Sequence, residues 1–200
     1  MTFEPTEIRD VWLFRPGVFE DSRGYFFESY NEMIFHAQGI LDKFVQDNQS
    51  SSTYGVIRGL HYQLPPFAQS KIVRVLRGKI LDVVVDIRKG SPSFGKVYSQ
   101  ILSAKNKKQL YIPKGCAHGF SVLSKKAEVL YKCDAFYNKE TEAGIRYDDP
   151  ELAIDWKITS GEASCACSAS RPSMPSSTNT TPPATPRRMR STRASRRRYR

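Results

Sequence analysis

Apolar side chains recur at every second position in residues 79–88, which is the period of an extended strand and not of a helix. One side of this strand carries Leu81, Val83, Val85 and Ile87, and the other carries Ile80, Asp82, Val84, Asp86 and Arg88. Residues 70–76 alternate in the same way, and Arg77, Gly78 and Lys79 supply a turn between the two segments. The pattern therefore predicts that residues 70–76 and 79–88 form the two strands of a hairpin.

Five further segments have the composition of short strands and are separated by turn residues. They are residues 55–63, 97–102, 109–112, 119–123 and 128–137. Their close spacing favours a sandwich or barrel over alternating strands and helices. One helix is predicted at residues 31–38, where Met33, Ile34 and Ala37 form an apolar stripe. The sequence thus predicts an all-β jelly roll with one or two short helices.

The composition changes abruptly after Ile158. The last 42 residues contain no Leu, Ile, Val or Phe, but fifteen Ser or Thr, five Pro and nine Arg. A segment this poor in apolar side chains cannot offset the entropy of folding. We therefore expect one domain at residues 1–158 and a disordered tail at residues 159–200. An interaction tail and a segment translated in a shifted reading frame both remain open explanations.

Charge and cysteine content narrow the class of protein. The net charge is +11, yet the tail holds nine Arg against one acid, and the body holds 22 basic against 19 acidic residues. This distribution argues against specific nucleic-acid binding.

No run approaches the roughly 18 apolar residues of a membrane span, and residues 1–10 do not resemble an export signal. Four cysteines are too few for a disulfide framework, so we expect a cytoplasmic protein in which Cys116 and Cys133 pack in the core.

The chain has three histidines, and two of them lie in β-rich, glycine-containing segments. His36 falls in the predicted helix beside Phe35 and is interpreted as structural. His61 and His118 are the candidates for chemistry. Jelly rolls often bind a metal through several imidazoles and a carboxylate, but no His-x-His pair is present. We therefore predict no metal.

A base, a cation and an acid are available for proton transfer next to a carbonyl group. His61 carries an imidazole, which can act as a base, Lys71 shares a strand face with Val73 and Val75, and Tyr131 carries a hydroxyl on an inward face. Abstraction requires a base on one face of the carbon, a cation at the enolate oxygen and an acid on the other face. An edge lysine and a core aromatic remain alternative explanations for Lys71 and Tyr131.

Seven segments in a fixed order resemble the dTDP-4-dehydrorhamnose 3,5-epimerase family. They are residues 19–26, 46–50, 55–63, 84–92, 112–120, 127–132 and 148–156. The resemblance implies a cupin-type jelly roll without metal or organic cofactor, and a homodimer with exchanged N-terminal strands. It also implies a dTDP-linked 4-keto-6-deoxy sugar as substrate, inverted at C3 and C5 for rhamnose synthesis.

The resemblance also assigns roles to residues of this chain. His61 is similar to the family's base, Tyr131 to its acid and Lys71 to the group at the enolate oxygen. Nucleotide and sugar contacts correspond to Arg23, Phe26, Glu28, Gln46, Asn48, Arg58, His118 and Glu142. Arg58 and His61 are an odd number of residues apart, so a regular strand would direct them to opposite faces. If both contact substrate, a bulge or kink is required at Gly59.

The C-terminal segment departs from the family pattern. Family members carry an Asp that orients the base histidine, and its position falls near Ser168, but no Asp follows Asp155. The resemblance therefore implies an isomerase whose activity is reduced by the altered ending. Three alternatives remain open: an epimerase or ketoisomerase acting at one position of a related sugar, a catalytically impaired nucleotide-sugar binder, and a nonspecific nucleic-acid binder using the Arg-rich tail.

Overall fold

The computed structural model describes residues 1–159, 161 and 163–165, and these residues form short strands with little helix. The strands are β1 (Thr2–Pro5), β2 (Trp12–Arg15), β3 (Phe19–Asp21), β4 (Gly24–Phe26), β5 (Gln46–Thr53), β6 (Val56–Gln63), β7 (Lys71–Arg77), β8 (Lys79–Asp86), β9 (Val97–Ser103), β10 (Gln109–Ile112), β11 (Cys116–Val122), β12 (Lys126–Cys133), β13 (Glu142–Gly144) and β14 (Ser164–Cys165). One α-helix, α1 (Glu32–Ala37), and a single 3-10 turn at Lys139–Thr141 complete the described part. The predicted all-β class and its short helix are confirmed.

Two sheets pack face to face. The first has the strand order β1-β2-β10-β7-β12-β5, and the second has the order β13-β6-β11-β8-β9, with β14 parallel to β6. Their inner faces share one apolar core, which contains Val73 and Val129 of the first sheet and Val84 and Phe120 of the second. This is the sandwich that the alternating pattern predicted.

The predicted hairpin between residues 70–76 and 79–88 is wrong. Both segments are strands, but β7 lies in the first sheet and β8 in the second. Gly78, with a φ of +79°, turns the chain from one sheet to the other, and a Cβ at this position would collide with the carbonyl oxygen of Lys126. The pattern of apolar residues identified the strands correctly, because a period of two indicates an extended backbone. It does not indicate which strand is the hydrogen-bonding partner, since that depends on strands far away in the sequence.

Strand β8 is buried on both faces. Val84 points into the core between the sheets, whereas Leu81, Val83 and Val85 join an outer cluster. Trp156 belongs to that cluster, and its indole Nε1 donates to the carbonyl oxygen of Tyr147 at 2.7 Å. The segment that follows β13 therefore covers the outside of the second sheet.

The helix covers part of the outer face of the first sheet. Asn31 caps its N-terminus, and the cap side chain accepts from the amides of Met33 and Ile34. Phe35 is fully buried and packs against Phe14. Met33 is 77% exposed and Ala37 is also exposed, so the predicted stripe is wrong except at the half-buried Ile34. The exposed His36 lies in the last turn of the helix, away from the cavity described below.

Strand β1 pairs with β2, and β2 pairs with β10 of the same chain, whereas β3 and β4 form a separate two-stranded sheet. This hairpin projects its aromatic residues into solvent, and Phe19 and Phe26 are 72% and 67% exposed. An exposed aromatic pair on a small hairpin is typical of a surface that another molecule covers.

Among the described residues after Ile158, Ser164 and Cys165 of β14 contact the sandwich. The amide of Ser164 donates to the carbonyl oxygen of Gly55 at 3.0 Å, where β14 pairs with β6. Ser168 and the rest of the predicted tail beyond Cys165 lie outside the described residues. Among the described helices, none is long and apolar enough to cross a membrane.

Candidate active site

A cavity of about 430 Å³ opens between the two sheets. Eight of the eleven predicted site residues line it: Gln46, Asn48, Arg58, His61, Lys71, His118, Tyr131 and Glu142. The volume falls in the range of small-molecule sites. Residues that lie up to 96 positions apart in the sequence, from Gln46 to Glu142, therefore meet at one place.

The other three predicted residues lie away from this cavity. Arg23 joins β3 to β4, its side chain is 88% exposed, and it pairs with Asp21 at 2.6 Å. Phe26 ends the exposed hairpin, and Glu28 follows it and accepts a hydrogen bond from Asn31. Within one chain, the structure does not bring these three residues to the site.

Strand β6 presents both Arg58 and His61 to the cavity through an irregularity at Gly59. In the pairing with β11, His61 lies opposite His118 and Arg58 lies opposite Phe120, so β6 has one extra residue. Gly59 has a φ of +126° and lies so close to β11 that a Cβ would come within 2.7 Å of the His118 carbonyl oxygen. The bulge expected at Gly59 is confirmed, and it resolves the odd spacing of the two residues.

The first sheet supplies Lys71 and Tyr131 from the neighbouring strands β7 and β12. The Lys71 Nζ atom lies 5.9 Å from the centre of the Tyr131 ring. Both residues contact the cavity, as the inward faces of their strands predicted. His61 approaches from the second sheet, so the cavity separates it from the lysine and the tyrosine.

Burial changes the proton affinity of both first-sheet residues. Removal from water lowers the pKa of Lys71, while the nearby Cys133, Asp82 and Glu142 act in the opposite direction. Burial raises the pKa of the Tyr131 hydroxyl, and the positive charge of Arg58 opposes this effect. The tyrosine therefore remains protonated at neutral pH and is available as a proton donor.

A carboxylate contacts the predicted base. The Nδ1 atom of His61 lies 3.3 Å from Oε1 of Glu142, and both side chains are about one-third exposed. The hydroxyl of Tyr137 donates to the other carboxylate oxygen of Glu142 at 2.9 Å. These three residues form a polar row along one wall of the cavity.

A second imidazole–carboxylate pair lies deeper in the site. His118 Nε2 is 3.0 and 3.1 Å from the two oxygens of Asp82, and both residues are buried. Asp82 was not among the predicted site residues. A signal was present, because Asp82 shares a strand face with Ile80 and Val84, and an acid on an inward face requires a buried partner.

Gln63 is a supporting residue that the sequence did not identify. Its amide nitrogen donates to the carbonyl oxygen of Phe67, and its amide oxygen accepts from the backbone of Asn138 at 2.7 Å. These bonds fix the loop that carries Tyr137 and Glu142. No local pattern distinguishes such a glutamine from others, since its partners lie in distant loops.

The cysteines and the acids do not provide an obvious metal site. Among the residues that the structure describes, no three His, Cys, Asp or Glu side chains group as metal ligands do. Cys116 and Cys133 are buried, and burial raises the pKa of their thiols to about 12 and about 11. These values agree with the predicted packing role, since the reactive thiolate is disfavoured.

Sequence and structure comparisons agree on one family. The family model described as dTDP-4-dehydrorhamnose 3,5-epimerase matches residues 5–171. A dTDP-4-dehydrorhamnose 3,5-epimerase from Shigella flexneri is 55% identical over 154 residues, which cover 76% of this chain and 85% of that protein.

Solved structures give the same result. The crystal structure of dTDP-4-dehydrorhamnose 3,5-epimerase from Elizabethkingia anophelis has a TM-score of 0.80 and 49% identity, covering 83% of this chain and 91% of that one. A 3,5-epimerase from Legionella pneumophila, in complex with dTDP-4-keto-L-rhamnose, has a TM-score of 0.79 and 46% identity, covering 82% of this chain and 87% of that one. With its sandwich, its cavity and these relatives, the chain belongs to the dTDP-4-dehydrorhamnose 3,5-epimerase family.

Proposed function

We propose that this isomerase inverts C3 and C5 of dTDP-4-dehydro-6-deoxy-D-glucose and produces dTDP-4-dehydro-L-rhamnose for rhamnose synthesis. One observation carries the proposal: His61 enters the cavity from one sheet, while Lys71 and Tyr131 enter from the other. A base and an acid on opposite sides of a bound sugar are what inversion requires. The names of the relatives and the product bound in the Legionella structure support this substrate.

Each inversion proceeds through an enolate. His61 takes the proton from the carbon next to the C4 ketone, and the electron pair of the broken C–H bond moves onto the ketone oxygen. The ammonium group of Lys71 stabilises the negative charge that develops there. Tyr131 then returns a proton to the opposite face of the carbon, which inverts its configuration.

The same three groups serve both carbons, because C3 and C5 flank one ketone. Between the two inversions, His61 releases its proton to water and the Tyr131 phenolate regains one. A single cation at the C4 oxygen therefore stabilises both enolates. The ketone itself acidifies the protons, and we propose that the reaction uses no metal or organic cofactor.

Polar residues around the cavity are suited to the nucleotide and the sugar. Arg58 uses Nε to donate to Ser52 at 2.9 Å, which leaves the terminal nitrogens of its fork for the diphosphate. Asn48 pairs across the sheet with Tyr131, and Gln46 lies two residues away on the same face. We propose that these amides, His118 and Glu142 hold the remainder of the substrate.

We also propose that the enzyme is a homodimer in which the β3–β4 hairpin completes the partner's cavity. Arg23, Phe26 and Glu28 are predicted substrate contacts, yet they lie outside the cavity of their own chain. The exposed aromatic residues of the hairpin would become buried in such an exchange. In the exchanged dimer, Arg23 would add its positive charge near the diphosphate.

We propose further that residues 1–158 form the catalytic unit and that it works in the cytoplasm. Every strand of the sandwich except β14 lies within this range, and Trp156 closes the outer cluster. The free, buried thiols of Cys116 and Cys133 fit a reducing compartment.

Mixing two inactive variants tests both the activity and the dimer. Arg23→Ala and His61→Ala proteins should each be nearly inactive on the keto-sugar. After mixing and subunit exchange, the mixed dimer has one cavity with both an intact His61 and an intact partner arginine. Random pairing should therefore restore about one quarter of the wild-type rate, because half of the dimers are mixed and each has one working site.

The controls are the separate variants, and the readout is the stereochemistry of the product by NMR. Inversion at both carbons is expected from the wild type and from the mixture. No recovery after proven subunit exchange would contradict the exchanged hairpin. Wild-type product inverted at one carbon alone would replace the proposed function with that of a single-site epimerase.

A further inference from the structure

We propose that Glu142 is the positioning residue of the base: its carboxylate accepts the Nδ1–H of His61 and so leaves Nε2 as the basic nitrogen. The inference rests on the proposed function, in which His61 removes the proton. It goes beyond the predicted role of Glu142 as a substrate contact. The motivating observation is the distance of 3.3 Å between His61 Nδ1 and Glu142 Oε1.

Strand pairing places the carboxylate beside the ring. In the antiparallel pair β13–β6, Gly144 lies directly opposite His61 and Glu142 lies opposite Gln63. Glu142 is thus the diagonal neighbour of His61 on the same face, a position that a long side chain reaches. Gly144 has no side chain, so nothing on the directly opposed residue stands between the imidazole and the carboxylate.

The carboxylate is itself held in place. Tyr137 donates its hydroxyl to Oε2 at 2.9 Å, which directs Oε1 toward the imidazole. The same bond raises the pKa of Tyr137, so the phenol remains a donor. Asn138 caps the 3-10 turn before Glu142 by accepting from two backbone amides, which fixes the start of β13. In the row Tyr137–Glu142–His61, the phenol and the imidazole therefore each donate to a different oxygen of the Glu142 carboxylate.

An orienting carboxylate has two consequences for a histidine base. It selects the tautomer in which the nitrogen facing the substrate is unprotonated, and it stabilises the imidazolium that forms after proton transfer. Glu142 supplies the same chemistry from β13.

Ring-nitrogen NMR tests the proposal directly, because the chain has only three histidines to resolve. With ¹⁵N-labelled histidine, the wild type should show His61 in the Nδ1-protonated tautomer at neutral pH, assigned by loss of its signals in His61→Ala. Glu142→Ala should abolish that preference. Glu140→Ala is the matched control, since it removes an exposed acid two residues away that has a backbone role only, and the tautomer should be unchanged.

Kinetics distinguish positioning from substrate binding. Glu142→Gln keeps the shape of the side chain and should lower kcat by about 10²-fold or more, in the manner of other orienting carboxylates. An unchanged tautomer in Glu142→Ala would overturn the proposal, as would a rise in KM alone with kcat retained in Glu142→Gln. Failure of the proposed function is a separate result: the wild type would then not invert the keto-sugar, whatever the tautomer of His61.

Discussion

At the scale of single residues, the burial and the neighbours of Tyr131 support its proposed role as the acid. Burial raises the pKa of its hydroxyl, so it remains protonated, and the neighbouring Lys71 places a positive charge 5.9 Å from its ring. Its strand also carries Val129 and Cys133 on the buried side. The Tyr131 ring therefore packs against the core, and the residue also lines the cavity.

Replacing Tyr131 with Phe should separate proton removal from proton return. The ring packing remains, so folding and nucleotide affinity should be retained, but product formation should fall by about 10²-fold or more because the acid is lost. Deuterium exchange at the substrate should continue, since His61 is intact. Product can be followed by NMR in deuterated water.

Tyr98→Phe is the matched control for this prediction. Tyr98 is also partly buried against the main core, but its hydroxyl faces Gln100 and it does not line the cavity. The Tyr98→Phe protein should retain the wild-type activity. Parental turnover in Tyr131→Phe would mean that another group is the acid.

Residues on regular strands were predictable, and residues placed by distant contacts were not. Period two directed Lys71 and Tyr131 inward, and both line the cavity. The contact of Glu142 with His61 depends on the pairing of β13 with β6, across 81 positions of sequence. Short-range patterns contain no information about such a pairing.

At the scale of elements, the bulge in β6 determines whether the site exists. It allows Arg58 and His61 to face the same cavity, and it requires a residue without a side chain at Gly59. The odd spacing, together with the substrate contacts that the resemblance implies for both residues, predicted this irregularity. By contrast, the partner of β7 was predicted wrongly, since the turn at Gly78 joins two sheets and not two paired strands.

Two glycines with positive φ offer a paired test of this element. Gly59 and Gly90 have φ values of +126° and +85°, but a Cβ on Gly90 would meet nothing within 4 Å. Both alanine variants should lose unfolding free energy, because a residue with a side chain is strained at such a φ. Gly59→Ala should lose about 1–3 kcal/mol more of unfolding free energy, because its Cβ also overlaps the backbone of β11.

Urea unfolding monitored by fluorescence gives both free energies. The larger loss should appear in Gly59→Ala, together with loss of activity as His61 and Arg58 move apart. Equal losses in the two variants would show that β6 can move away from β11 at little cost in free energy. The close approach of Gly59 to β11 would then not be what maintains the site.

At the scale of the whole molecule, the sandwich was predictable from the sequence, whereas the dimer remains a proposal. Alternation and resemblance both gave the all-β fold, and eight predicted residues meet in one cavity. Arg23, Phe26 and Glu28 remain outside it, on or beside an exposed hairpin. No pattern within one strand indicates which subunit's cavity a side chain would line, so the proposed dimer rests on the family resemblance together with the position of these three residues.

The most direct test of the central claim is hydrogen exchange at the two carbons beside the ketone. In deuterated water, the wild-type chain should incorporate deuterium at both C3 and C5 of dTDP-4-dehydro-6-deoxy-D-glucose, as read by NMR. His61→Ala should abolish incorporation at both positions while the fold is retained, because one base serves both carbons. Continued exchange at either carbon in a folded His61→Ala protein would contradict the account, since His61 would then not be the common base.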